Sequence, residues 1–316
     1  MTDLLTFGET MVSVRTARPM RLGGDAHLSV AGSESNVAIG LARLGHDTAW
    51  LGAVGNDEPG RLIQRTLRAE NVDTTYLRFS DDSFTGFIAF DQPSHDITRV
   101  SYHRRGSAAS TLTAAETTAA LTAANPRLLH VTGITPALSD TARAATLAAV
   151  RTASAAGAQV SLDVNYRGRL WSRADASIAV RELLPHVNTV FTSDDELDLL
   201  TDASNAVADL LKTVDTLVVT AGGKGAWAHT KSAGSAEVHT IHRPALAVTV
   251  VDSIGAGDAF VSGYLSATLD NLSTEARLER ATTSGAFCVT AYGDWESLPT
   301  REDLSLLSHT QGTALR

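Results

Sequence analysis

What most constrains this chain is a rhythm. Short apolar runs of strand length alternate with longer amphipathic stretches from Leu4 to about residue 220. LLTFG at Leu4–Gly8 reads as a buried strand. Asn36–Gly45 reads as a helix, with Ser33 or Ser35 available as its cap and Gly45 as its stop. TAWLGAVG follows as a strand and Arg61–Ala69 as a helix. The alternation recurs through RLLHVTG, an alanine-rich helix over Asp140–Ala156, AQVSLDVN, a helix near Ala174–Leu184, NTVFT, two short helices and DTLVVTAGG. Strands separated by roughly 10–18 helical residues build βαβ units. The expected fold class is therefore α/β: a doubly wound, mostly parallel sheet with helices on both faces.

Two segments break the rhythm. Thr10–Val30 carries several turn residues, among them Pro19 and Gly23-Gly24. Phe84–Phe90 and Thr98–His103 are β-like runs joined by DQPSHDI. Together they read as a small antiparallel sheet, a lid formed by roughly residues 10–30 and 84–105, with an ordinary surface hairpin as the alternative. No repeat or low-complexity linker divides the chain, so 1–316 reads as one domain.

Composition narrows the function classes. The formal charge is 26 − 35 = −9, with both signs scattered, which argues against a nucleic-acid groove or an anionic-membrane patch. The single cysteine, Cys288, excludes an intramolecular disulfide and a cysteine-cluster metal site, and fits a small residue of a helix core. No apolar run approaches 18 residues, and MTDLLTFGET lacks the layout of a signal peptide, so a cytoplasmic location is expected. His27, His46, His95 and His130 show no metal-ligand spacing.

The strongest local signal is VVDSIGAGDAFVSGYLSA, Val250–Ala267. A strand-like end at Ala247–Val251 runs into Gly255-Ala256-Gly257-Asp258 and a helix. Small residues let backbone N–H groups at a helix N-terminus approach an anion, and the helix dipole adds partial positive charge. Asp258, in the first turn, is placed to take a proton from a hydroxyl beside that anion, which is what phosphoryl transfer to an alcohol requires. Read alone, the same residues also make a tight turn with an aspartate cap. The pattern is neither the dinucleotide glycine loop nor the Gly-x-x-x-x-Gly-Lys-Ser/Thr loop.

The flanking residues resolve this. Asp252-Ser253-Ile254-Gly255-Ala256-Gly257-Asp258-Ala259-Phe260 and the earlier Ala31-Gly32-Ser33-Glu34-Ser35-Asn36, with LGAVGNDEPG and VVTAGGKGA in register, resemble the signatures of the ribokinase-like (PfkB) carbohydrate kinases over Leu4–Thr300. The resemblance implies a doubly wound domain with a β-sheet lid that often dimerises. The activity it implies is ATP-dependent phosphorylation of a sugar hydroxyl with Mg²⁺. In that frame Asp258 is the general base and the amides of Gly255, Ala256 and Gly257 are the anion hole. Gly32, Ser33, Glu34 and Asn36 bind substrate. Thr220, Gly222, Gly223, Lys224 and Gly225, with Asn165 and Ser193, contact the nucleotide. Glu196 acts indirectly on Mg²⁺, and a monovalent cation such as K⁺ sits near Asp252. Ser193 stands where the family usually has asparagine, and the acidic run Asp194–Glu196 reads equally as a helix cap.

Within the family, Asp163–Trp171, Tyr102–Ala109 and Gly293–Pro299 resemble segments of the 2-keto-3-deoxygluconate kinases. A sugar acid needs a cation aimed at its carboxylate, and arginine supplies a planar fork. Tyr102 and Arg104 would clamp that carboxylate from the lid, Arg167 would reach the reacting end, and Asp294 would accept sugar hydroxyls. The expected partner is a small-molecule sugar acid, with no nucleic acid, no membrane and a homo-oligomer formed through the lid. His103, Ile88 and Ala31 depart from the pattern. A kinase for a neutral sugar such as fructose or ribose, and a non-catalytic sugar- or nucleotide-responsive regulator on the same fold, stay open as alternatives.

Overall fold

The computed structural model describes residues 2–94, 97–231 and 237–308; His95, and Asp96 of the DQPSHDI segment, lie outside the described residues. Strands β1 (Leu4–Phe7), β2 (Met11–Thr16) and β3 (Ala26–Ala31) precede helix α1 (Ser33–Arg43). After β4 (Thr48–Gly55) and α2 (Glu58–Ala69) come β5 (Val72–Asp73), β6 (Leu77–Ser80), β7 (Phe87–Ser94) and β8 (Ile97–His103). The chain then alternates α3 (Ala114–Ala124), β9 (Leu128–Thr132), α4 (Asp140–Ala155), β10 (Gln159–Asp163), α5 (Arg173–Leu183) and β11 (Thr189–Ser193). The short α6 (Leu197–Leu200) and α7 (Ala206–Leu210) lead to β12 (Thr216–Thr220), followed by β13 (Ala226–Lys231), β14 (Val238–Arg243), α8 (Ala256–Leu269) and α9 (Thr274–Cys288).

The main sheet runs β14-β13-β12-β11-β10-β9-β1-β4-β5, with β6 also on β4. It is parallel from β12 to β5, and β13 and β14 add antiparallel at one edge. Because successive strand residues point to opposite faces, adjacent apolar pairs fill two separate cores. Leu5, Leu129, Val190 and Leu217 pack with α3, α4 and α5 residues such as Leu121, Val150 and Val180. Leu4, Leu128, Phe191 and Val218 pack with Val37 and Leu41 of α1 and with Phe260, Tyr264 and Leu278 of α8 and α9. Each such buried side chain contributes about 1.5–3 kcal/mol relative to its exposed state. Cys288 ends α9, fully buried as expected, and burial pushes its thiol up to about 12. Among the described residues no helix is long and apolar enough to cross a membrane.

The second sheet has the order β3-β2-β7-β8 and is mixed, not antiparallel throughout: β2 and β7 pair in parallel. The reason is topological. β2 follows β1 and β7 follows β6; β1 and β6 run the same way beside β4, so both chains leave the main sheet in one direction. β7 also continues to Ser94 through a register shift between Asp91 and Ser94. A bulge there accommodates Pro93, which has no N–H for the ladder.

Two further expectations need correction. Ala247–Val251 is not a strand; β14 holds the sheet edge, and Val250 and Val251 are exposed. Nor do Ser33 and Ser35 cap α1. Gly32 is the N-cap, Ser33 is already helical, and the Ser35 hydroxyl donates to the Gly32 carbonyl at 2.9 Å.

One close contact sets the geometry of everything below. A Cβ on Gly40 would lie 2.4 Å from Ser262 Oγ, so α1 and α8 touch almost backbone to backbone. Gly40→Val should therefore destabilise the protein by about 1–3 kcal/mol through overpacking. The check is the urea midpoint; Gly45→Ala, where the strain is only that of a positive φ with no close neighbour short of Arg301 at 3.7 Å, should cost less.

Candidate active site

Open α/β sheets bind ligands outside the carboxyl ends of their parallel strands. Here β1 delivers Glu9, β10 delivers Asp163 and Asn165, β11 delivers Ser193 and Glu196, and β12 ends at Thr220. With the N-terminal turns of α1 and α8 they enclose a cavity of about 410 Å³, roofed by Met11, Ile88, Phe90 and Tyr102 of the second sheet.

Asp258 lies where the two helix N-termini converge. Its carboxylate accepts hydrogen bonds from Ser33 Oγ at 2.6 Å and Asn36 Nδ2 at 2.8 Å. Gly40 and Ser262 lie one turn further along their respective helices, so the close approach of α1 and α8 creates this pairing. Asn165, in the left-handed region at φ 40°, donates from Nδ2 to Ser33 Oγ at 2.9 Å, so the Ser33 hydroxyl hydrogen is left to donate to Asp258. Burial raises the Asp258 carboxyl above the usual range, while the Ser33 and Asn36 bonds and the Arg167 charge pull it back. That balance leaves a carboxylate able to accept a proton from an alcohol without being strongly basic, and positioning supplies the rest.

The preceding turn is built to hold an anion. Gly255 caps α8 in the left-handed region at φ 78°, and a Cβ there would meet the Asp294 carbonyl at 2.1 Å. Only glycine fits both constraints. No side chain caps α8, so the first-turn amides have no acceptor within the helix and face the cavity with the positive end of its dipole. A Cβ on Gly257 would meet nothing within 4 Å, which leaves open space over the amide of that residue.

A second cavity, about 590 Å³, opens on the other side of this turn. Its walls are Gly222, Gly223, Gly225, the 245–248 segment, Gly285, Ala286 and Val289. The apolar run misread as a strand is thus the wall of a largely apolar slot, suited to a flat ring. Thr220, Ser253, Gly257 and Phe260 border both cavities, so the two meet at the anion-holding turn.

The residues expected at the nucleotide divide between the two cavities. Asn165 and Ser193 line the first cavity and not the second, and Lys224 borders neither; its carbonyl faces His242. Glu196 occupies the N-cap position of α6, but its side chain makes no capping hydrogen bond to that helix. Its two oxygens take the Tyr166 amide at 2.7 Å and the Ser193 amide at 3.1 Å, tying the ends of β10 and β11 together. Glu34 is wholly buried at the cavity floor, where Thr132 and Thr135 hydroxyls hold one of its oxygens and burial pushes its carboxyl up. Gly32 passes so close to the Glu9 carbonyl that a Cβ would lie 2.5 Å from it.

Charge is distributed unevenly. Asp163, Asp258, Glu196 and Asp294 gather at the inner end. Burial, then Glu196 and Asp258, drive the Asp163 carboxyl well up; burial, Asp258 and Glu296 lift Asp294 to about 7. At the outer end, Arg104, Arg105, Arg167 and Arg169 surround an opening of about 730 Å³ that shares Val100, Tyr102, Arg104 and Arg167 with the first cavity. Arg104 is nearly buried and its Nε donates to Glu9 at 2.5 Å; the Ser107 hydroxyl holds the other Glu9 oxygen. Arg167 is exposed; its Nη1 donates to the Tyr166 carbonyl at 3.4 Å, and its charge reaches Asp163 and Asp258. Glu9 was not singled out in the sequence, and Asp163 only as the start of a motif. An isolated glutamate after a strand carries no local signal, whereas Asp163 ends a parallel strand, where site residues concentrate.

The model of the pfkB family carbohydrate kinases matches residues 1–301, and the chain belongs to that family. It is similar to the 2-dehydro-3-deoxygluconokinase of Bacillus subtilis (strain 168), 36% identical over 98% of this chain and 97% of the relative. It is also similar to a fructokinase of Klebsiella pneumoniae, 34% identical over 86% and 90%. Among solved structures, a PfkB protein from Polaromonas sp. JS666 superposes with a TM-score of 0.85 at 31% identity, covering 96% of this chain and 99% of that one. A Xylella fastidiosa fructokinase with bound ATP shares the fold, with a TM-score of 0.84 at 23% identity over 97% and 98% of the two chains. The chain is a sugar kinase, a phosphotransferase of the PfkB family.

Two outcomes follow from the geometry. Asp258→Asn should lower kcat by roughly 10²–10⁴ with little loss of stability, because Asn36 can turn its otherwise unpartnered Oδ1 toward the new amide; steady-state kinetics beside a melting curve separate the two effects. Asp294 holds its proton more tightly folded than unfolded, so its ionisation should erode stability as pH rises from about 4 through 7. Asp294→Asn should raise the unfolding midpoint at pH 8 by at least ~2 °C, with the gain vanishing near pH 4 in a thermal scan.

Proposed function

We propose that this kinase transfers the γ-phosphoryl group of ATP to the terminal hydroxyl of 2-keto-3-deoxygluconate (2-dehydro-3-deoxygluconate) or a close sugar acid. The observation that carries the substrate class is the charge gradient along the acceptor cavity: four arginines at the mouth, of which Arg104 is paired with Glu9, and Asp163, Glu196, Asp258 and Asp294 with the buried Glu34 at the inner end. A sugar acid entering this field is oriented before any specific contact forms. Its carboxylate is drawn to Arg104 and Arg167 and repelled from the acidic floor, which leaves its far hydroxyl at Asp258. The similarity to a 2-dehydro-3-deoxygluconokinase supports the same reading.

In the proposed reaction the hydroxyl oxygen bonds to the γ-phosphorus as the bond to the β-bridging oxygen breaks, and the hydroxyl proton passes to Asp258. Ser33 and Asn36 hold that carboxylate in line, and the amides that open α8, of which the Ala256 N–H already reaches the Ser253 carbonyl at 3.4 Å, would receive the charge on the transferring group. The adenine ring would lie in the apolar slot beside Gly222–Gly225. Among the described residues no three His, Cys, Asp or Glu side chains converge as a metal cage. That fits Mg²⁺, which keeps waters and rests mainly on phosphate oxygens. Glu196 and Asp163 are the carboxylates at hand for it, and bound there it would screen phosphate charge. The second sheet would close over the sugar and exclude water, a competing acceptor.

The neutral-sugar reading rests on the fructokinase likeness and on Ile88, which presents no polar group from the roof. Turnover on 2-keto-3-deoxygluconate, fructose and ribose with ATP and Mg²⁺ decides between them; preference for fructose would overturn the sugar-acid assignment. Arg167→Ala is the cleaner probe, since removing Arg104 strands a buried Glu9. It should lower kcat/KM on the sugar acid by about 10–100-fold, equivalent to roughly 1.5–3 kcal/mol, and spare fructose. Equal losses on both would make Arg167 a general part of the wall.

A further inference from the structure

The family resemblance led to the expectation of a monovalent cation at Asp252, and the residues present do not fit one. Such an ion is held by oxygens that replace its water shell. Here Asp252 Oδ1 accepts the Ile254 amide at 3.1 Å, and Oδ2 faces Arg15 Nη2 at 3.0 Å. Both of the latter atoms are shielded from solvent and neither makes a hydrogen bond, so the two are paired by charge alone. The neighbouring carbonyls are also engaged. Cys288 Sγ donates to the Ile254 carbonyl at 3.4 Å and Ser297 Oγ to the Cys288 carbonyl at 3.1 Å. A positive charge is already in place, and it belongs to the chain.

Arg15 reaches this position from the second sheet. It lies on β2, and its guanidinium carbon sits 4.4 Å from the ring centroid of Phe90 on β7, a residue that roofs the acceptor cavity. The flat guanidinium is therefore stacked on one side and charge-paired on the other, which fixes its plane. Asp252 begins the turn whose next residues, Ser253 to Gly257, border the cavities and present the anion-holding amides. We infer that Arg15 is a built-in replacement for the monovalent cation, neutralising Asp252 and tying the roof sheet to the phosphoryl-holding turn. Arg15 touches neither sugar nor phosphate in this role; it is a positioning residue. Where a free ion would neutralise the turn alone, a tethered one makes its order depend on where the roof stands.

The inference goes beyond the sugar assignment and is tested by a readout that needs no substrate. The unfolding midpoint, and kcat/KM on whichever sugar is turned over, are compared in KCl, NaCl and tetramethylammonium chloride at one ionic strength. Wild type should be indifferent to the swap in both measurements. A K⁺ site with Kd a hundredfold below the salt concentration would instead raise the midpoint in KCl by several degrees, and that result, or a K⁺-specific rise in kcat/KM, overturns the replacement. Arg15→Ala should lose at least about tenfold in kcat/KM and recover part of it with added methylguanidinium. A variant indistinguishable from wild type, or a loss that methylguanidinium leaves untouched, would reduce Arg15 to an ordinary ion pair. If Arg15→Ala does not fold, the wild-type salt comparison decides by itself.

Discussion

Two helix N-termini meet at Asp258, and the rest of the site depends on how near they can come. A carboxylate at the start of α8 is stabilised by the helix dipole and, in the same place, desolvated by burial; the hydroxyl and amide from the first turn of α1 settle the contest. Those two donors arrive only because Gly40 and Ser262 let the helices run in contact one turn away. Asn165 then fixes the Ser33 rotor, so three segments distant in sequence, following β3, β10 and β14, agree on the orientation of a single carboxylate. The parallel sheet supplies the common floor that makes this agreement possible.

The same arrangement separates charge along a short path. Gathering Asp163, Glu196, Asp258 and Asp294 in one partly dry place is unfavourable, as the raised proton affinities of Asp163, Asp258 and Asp294 show. The fold tolerates it because Glu196 is bonded to two backbone amides and Asp258 to two side chains. Among the described residues Arg105, Arg167 and Arg169 have no carboxylate within ion-pair distance, whereas Arg104 is held by Glu9. Stability is thus given up at both ends of the cavity in favour of a field that sorts and orients what enters.

Much of this was legible in the residues. Hydrophobic period located the strands and helices of the parallel sheet, often within a few residues, because burial on both faces leaves long apolar runs. Asp258 and the glycine turn were legible because backbone approach to an anion restricts residue type. What failed had physical causes. Ala247–Val251 has strand composition, but a strand needs a free edge, and β14 occupies it. Ser33 has the composition of a cap, but its hydroxyl is taken by a carboxylate far away in sequence. Arg15 and Glu9 were not singled out, since nothing local reveals a partner from a distant segment. Motif order carries no information about which cavity a side chain enters, so that Asn165 and Ser193 line the first cavity could be read only from the structure.

The contact between Gly255 and the Asp294 carbonyl has a consequence for how such an enzyme can diversify. The main chain at Asp294 braces the turn that opens α8, the turn proposed to receive the phosphoryl group, while Asp294 also lines the first cavity. Exchanging that side chain leaves the brace intact, so acceptor choice is open to point substitution. Lengthening or shortening the 289–294 loop would move the brace itself. Lineages descending from this sequence can therefore change their sugar one residue at a time, but not by remodelling that loop.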